Sequence, residues 1–123
     1  MMTLQELYQN MGGDYEQAIR VLRMEKLMDK HIRKFAKNGV VDAMLEAGEM
    51  MDPTALFETA HAVKGVCGNL GLKDVSELAG EITEEFRPGN SRSMSDEEVK
   101  AKLQKARERY GEIIEQISRY ENG

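Results

Sequence analysis

Apolar residues in this chain recur every three or four positions, in stretches separated by strong breakers, and that pattern leaves little room for anything but helices. Leu4, Leu7, Tyr8 and Met11 make one stripe, closed by Gly12-Gly13. Ala18, Val21, Leu22, Met28, Ile32 and Phe35 make a second, closed by Asn38-Gly39. Val40, Val41, Met44, Leu45 and Ala47 make a third, ending near Met51. Leu56, Ala60, Val63, Val66, Cys67 and Leu70 follow, and Gly71 stops them. Leu72, Val75, Leu78, Ala79, Ile82 and Phe86 run up to Pro88-Gly89-Asn90. The last stripe is Val99, Leu103, Ala106, Tyr110, Ile113, Ile114 and Ile117. Propensity agrees with periodicity: Glu, Lys, Leu, Met, Ala and Arg are abundant, β-branched runs are missing, and aromatics are only 6%.

Capping residues sharpen the boundaries. Thr3 with Glu6 and Ser95 with Glu98 have capping-box spacing. Asp14 can cap the second helix, with Gln17 at the reciprocal position, and that helix reads as one piece up to Asn38. Asp52-Pro53 supplies a cap and then proline at the first helical position. Asp96 and Glu97 suit the positive end of the last helix's dipole. Short connections between successive long helices imply antiparallel neighbours. The expected fold is therefore all-α, an up-and-down antiparallel four-helix bundle with an additional N-terminal helix. Residues 1–123 read as a single domain, with no internal repeat or low-complexity linker.

The stretch from Thr59 to Gly71 carries more than a core stripe. On a helix turning roughly 100° per residue, His61, Lys64, Gly65, Gly68 and Asn69 share one face, opposite the apolar one. Each interior glycine costs a helix about 1 kcal/mol relative to alanine. Two beside a titratable ring and a cation leave the backbone bare where something large can approach. A histidine alone on a helix surface is most often an ordinary polar residue, and a lone lysine a solvated one. Here they stand together. Gly68 also admits a packing explanation, close approach of a neighbouring helix, and Asn69 reads as a local hydrogen-bonder near the helix end. Cys67 falls on the core stripe, a small buried residue rather than a nucleophile. His31 has no matching ligand set and reads as a surface or boundary residue.

His-x-x-Lys-Gly-x-x-Gly-Asn-Leu-Gly, from His61 to Gly71 and preceded by Ala60, resembles the signature of histidine phosphotransfer (HPt) domains, and the helical pattern extends the resemblance over most of the chain. The resemblance implies a bundle that carries a phosphoryl group on Nε2 of His61. Lys64, one turn along, then steadies the phosphoryl oxygens as a point charge, while Gly65 and Gly68 give a partner access. In that family a Glu or Gln on the following helix often holds the ring's second nitrogen. The matching position here is Thr83, a shorter side chain, which leaves the orienting role to Thr83, a water, Glu84 or nothing. Arg87, one turn further, is a candidate for extra positive charge. Phe57, one turn before His61, is a candidate docking contact, unless it lies under the first helix.

The expected function is that of a phosphohistidine carrier, relaying a phosphoryl group to and from aspartates of response-regulator receiver domains in a two-component phosphorelay. Receiver domains are the expected partners, together with a hybrid histidine kinase. The chain shows no Walker-type loop and no carboxylate cluster near His61 to hold Mg²⁺, so it reads as a shuttle rather than an enzyme, with no cofactor and no metal site of its own. The partner is expected to bring metal and acceptor aspartate. Two other readings compete: a non-catalytic helical interaction module in which His61 is incidental, and the phosphotransfer fragment of a larger histidine kinase. A net charge of −5 argues against a general nucleic-acid binder. No apolar run approaches ~20 residues, so no membrane partner is expected. A lone cysteine and the lack of a basic-then-apolar N-terminus fit the cytoplasm.

Overall fold

The computed structural model describes residues 1–123. It contains seven helices and no strand: α1 (Leu4–Asn10), α2 (Tyr15–Leu22), α3 (Glu25–Phe35), α4 (Val40–Met50), α5 (Pro53–Asn69), α6 (Lys73–Glu85) and α7 (Asp96–Asn122). The last four form the bundle, each packed against its two neighbours in a closed ring. Their antiparallel register is read from paired residues. Along α5 and α6, Phe57 meets Arg87, Lys64 meets Gly80 and Gly68 meets Ser76. Along α6 and α7, Asp74 pairs with Arg109 and Glu81 with Lys102. Between α4 and α7, Gly48 backs onto Leu103 so closely that a β-carbon at 48 would overlap its side chain.

The predicted caps form. Thr3–Glu6 and Ser95–Glu98 are both complete capping boxes, and Asp52 accepts hydrogen bonds from Thr54 and Ala55 ahead of Pro53. Asp14 accepts from the Gln17 N–H, but the Gln17 side chain accepts from Arg20 instead of returning to the cap. One expectation fails outright. The single helix read from Asp14 to Asn38 is two helices, broken at Arg23, whose φ is 77°, and Met24, which is extended. The apolar phase explains the break. Ala18 and Met28 are both fully buried, yet on one straight helix they would lie about 80° apart. Breaking the chain re-phases α3 so that Met28, Ile32 and Phe35 all reach the core, and Val21 is left 40% exposed. The Tyr15 hydroxyl spans the break, donating to Glu25 at 2.6 Å.

Two further ties position the bundle's working half. At the α5–α6 turn, Gly71 has φ 73°, and its carbonyl accepts the Asp14 N–H at 2.8 Å. The Tyr8 hydroxyl donates to the Leu70 carbonyl at 2.7 Å, and Lys73 pairs with Asp14. These bonds fasten α1 and α2 to the end of α5 and satisfy carbonyls that a helix terminus leaves open. The loop after α6 is held by Glu85. This buried carboxylate accepts from the Arg92 guanidinium, the Ser93 hydroxyl and the N–H groups of Ser93 and Met94. Burial alone would raise its pKa, but those bonds outweigh burial and hold it at about 2.

Candidate functional site

The rotation of α5 is fixed by what it buries. Leu56, Ala60, Val63 and Cys67 are fully excluded from solvent. Turning the helix by one residue would expose apolar side chains worth ~1.5–3 kcal/mol each and bury a polar ring. His61 therefore stands exposed on the opposite face, about two turns from either end of α5. Lys64 and Gly65 are exposed beside it. No protein group hydrogen-bonds the His61 ring.

The ring is placed by stacking. Phe57, half-buried, lies parallel to His61 with centroids 6.0 Å apart and planes at 15°. From the turn just after α6 the Arg87 guanidinium sits over Phe57, 5.3 Å from the ring centre. Arg87 also donates two hydrogen bonds to one oxygen of Glu84, at 2.8 and 2.6 Å. Those bonds hold the Glu84 carboxyl below its ordinary range, and the positive charge of Arg87 and Lys64 adds to the effect. Phe57 is thus a member of the site's wall, not a residue covered by α1.

The Lys64 stem leans toward α6 and lies against Gly80. A β-carbon at position 80 would stand 3.6 and 3.7 Å from its Cδ and Cε. Lys64 lines an acidic groove of about 750 Å³ with Glu77, Glu81, Glu84 and Asn90. The two glycines of α5 part company here. A β-carbon at Gly65 would meet nothing within 4 Å, whereas one at Gly68 would touch the Ser76 hydroxyl at 3.4 Å. Ser76 in turn donates to the Lys64 carbonyl at 3.0 Å. Gly68 thus lies at ordinary contact distance from α6, while the backbone at Gly65 is open beside the ring.

Thr83 is the clearest correction. It is fully buried, and its hydroxyl donates to the Ala79 carbonyl at 2.7 Å, so it offers nothing to His61. Register alone placed it level with the ring; its side chain turns inward. Asn69 closes α5, eight residues and ~12 Å beyond His61, in a different groove with Leu22, His31 and Lys34. Cys67 is buried, which pushes its thiol up to about 12. Sequence reasoning did not find the Arg87–Glu84 pair, although its i, i+3 spacing at the end of a predicted helix was a usable signal.

The Hpt domain family model matches residues 3–121. The chain belongs to the Hpt family. Hpt domains are phosphocarriers that take part in histidine phosphotransfer in phosphorelays, and they interact with the receiver domains of response regulators. No curated protein and no solved structure gives a significant match. No helix of this Hpt chain is long and apolar enough to cross a membrane.

Proposed function

We propose that His61 is the phosphoacceptor of this Hpt domain, and that the protein relays the group to and from receiver aspartates. The observation that carries the reading is an exposed imidazole, stacked on Phe57, with Lys64 one turn away and open backbone at Gly65. A neutral imidazole keeps one nitrogen lone pair for attack on phosphorus. In the forward step the N–P bond forms as the bond from phosphorus to the receiver's aspartyl oxygen breaks, and the carboxylate leaves with the electron pair. The reverse step returns the group to an aspartate. Phosphoryl transfer of this kind is mainly positioning and charge stabilisation. Phe57 supplies the positioning of the ring, and the Lys64 ammonium supplies charge near the transferred oxygens. Arg87 has a second call on it, since Glu84 neutralises it in the resting protein. The metal and the acceptor aspartate are assigned to the partner.

The test is incubation with a phosphorylated receiver domain and Mg²⁺. Wild-type protein should gain an acid-labile, base-stable phosphoryl group, and His61→Gln should gain none. Labelling that survives in His61→Gln would place the acceptor elsewhere. A folded chain that binds receivers but never takes up phosphate would favour the interaction-module reading.

A further inference from the structure

Charge is distributed very unevenly along this chain. Residues 20–37 hold seven Lys or Arg against two Asp or Glu, while the rest holds ten against twenty. Most cations outside that segment are paired: Lys73, Arg87, Arg92, Lys102, Arg107, Arg109 and Arg119 all have carboxylate partners. Inside it only Arg33 does. Lys26, Lys30 and Lys34 follow one another at four-residue spacing along α3, all exposed and all without an ion pair. Like charges at that spacing repel, so the row works against its own helix. Nor can the segment's two acids relieve it. Asp29 is held by Arg33 and by the Tyr120 hydroxyl, and Glu25 by the Tyr15 hydroxyl.

The Lys34 end of the row lies against the helix that carries the exposed histidine. Lys34 and His31 line one groove with Val66 and Asn69 of α5. Asn69 lies ~12 Å along that helix from His61. An interface of ordinary size covers about 800 Å² per partner, a disc of radius ~16 Å, so a partner centred on His61 reaches Asn69 and meets α3 at its edge. Resting on the phosphocarrier reading, we propose that the Lys26–Lys30–Lys34 row is an electrostatic docking ledge for the acidic face of a receiver domain while it exchanges phosphate with His61. A folded partner with a local acidic patch needs only a local complement, whereas a long polyanion such as DNA would also meet the strongly negative remainder of this chain.

The experiment measures phosphotransfer rate against ionic strength for wild-type, for Lys26→Glu/Lys30→Glu/Lys34→Glu, and for Lys100→Glu/Lys105→Glu as a charge-reversal control on α7. The partner is a receiver domain that exchanges phosphate with wild-type. The α3 variant should lose roughly tenfold or more in second-order rate at low salt, converge on wild-type at high salt, and leave the control near wild-type. Labelling of His61 by phosphoramidate, a small donor that needs no docking, should be the same in all three. An α3 variant with wild-type rate and salt dependence would overturn the ledge while leaving the carrier reading intact. Equal losses in the α7 control would overturn it too, as would an α3 variant that loses wild-type's binding to anionic vesicles or duplex DNA while exchanging phosphate with the receiver at the wild-type rate. Failure of phosphoramidate to label wild-type His61 would instead sink the carrier reading itself. If circular dichroism shows the triple Glu variant unfolded, the triple Gln variant takes its place, with a smaller loss expected in the same direction.

Discussion

Phe57 and His61 lie one helical turn apart with their rings parallel, and the face of Phe57 also receives the Arg87 guanidinium from the end of the α6 segment, two residues past Glu85. A single half-buried aromatic therefore joins the two helices at the level of the exposed imidazole. Removing it should loosen the ring more than the fold. Phe57→Ala is expected to cost about 1 kcal/mol of stability and to slow phosphotransfer several-fold, since a freer ring spends less time in an attacking geometry. Phe57→Leu, which keeps bulk but not the stack, should recover stability more than rate. Thermal denaturation and single-turnover transfer, measured on the same samples, separate the two.

Lys64 is exposed, and its stem rests on Gly80 without burying its charge. Lys64→Ala should leave the melting temperature within a degree or two of wild-type, as surface substitutions usually do. It should slow transfer by roughly tenfold to a hundredfold if the ammonium steadies the moving phosphoryl group. Lys64→Arg should restore part of the rate, because the charge returns with different geometry. A large drop in melting temperature would make Lys64 a structural residue.

Gly71 is constrained twice. Its φ is 73°, and a β-carbon there would stand 2.3 Å from the Asp14 carbonyl oxygen. Gly71→Ala should destabilise the protein by about 3 kcal/mol, combining left-handed strain with displacement of a backbone. Because the displaced segment is the start of α2, hydrogen exchange should rise first in α1 and α2. Chemical denaturation with site-resolved exchange checks both the size and the location.

Glu85 binds its loop as a carboxylate held at about 2, against an ordinary value of 4.5. A depressed folded-state pKa contributes stability that is fully present above about 4.5 and lost as pH falls toward 2. Glu85→Gln should cost about 2 kcal/mol at neutral pH, by weakening charge-assisted bonds to Arg92, Ser93 and Met94. The difference between wild-type and variant should then shrink steadily from pH 4.5 to pH 2. Paired denaturation curves across that range test it, and a gap that stays constant would contradict the assignment.

The sequence by itself determined the helices, apart from the break at Arg23, and the face that carries His61. The apolar spacing from Leu56 to Leu70 dictates which side of α5 enters the core, and so which side remains in water. Capping boxes at Thr3 and Ser95 and the Asp52-Pro53 start are local hydrogen-bonding arrangements, legible because every atom involved lies within a few residues. What the tertiary structure decided was everything that depends on a neighbour. The break at Arg23 follows from the need of α2 and α3 to bury stripes of different phase, and no local signal marks it. Gly65 and Gly68 look alike in the chain, but only the tertiary structure shows that one faces open space and the other lies beside Ser76 on α6. Thr83 sits at the right height and faces the wrong way, because register along a helix pair is set by the turn while direction is set by the core. The physical reason is the same in each case: periodicity and capping are energies within one helix, whereas direction, access and pairing are energies between two.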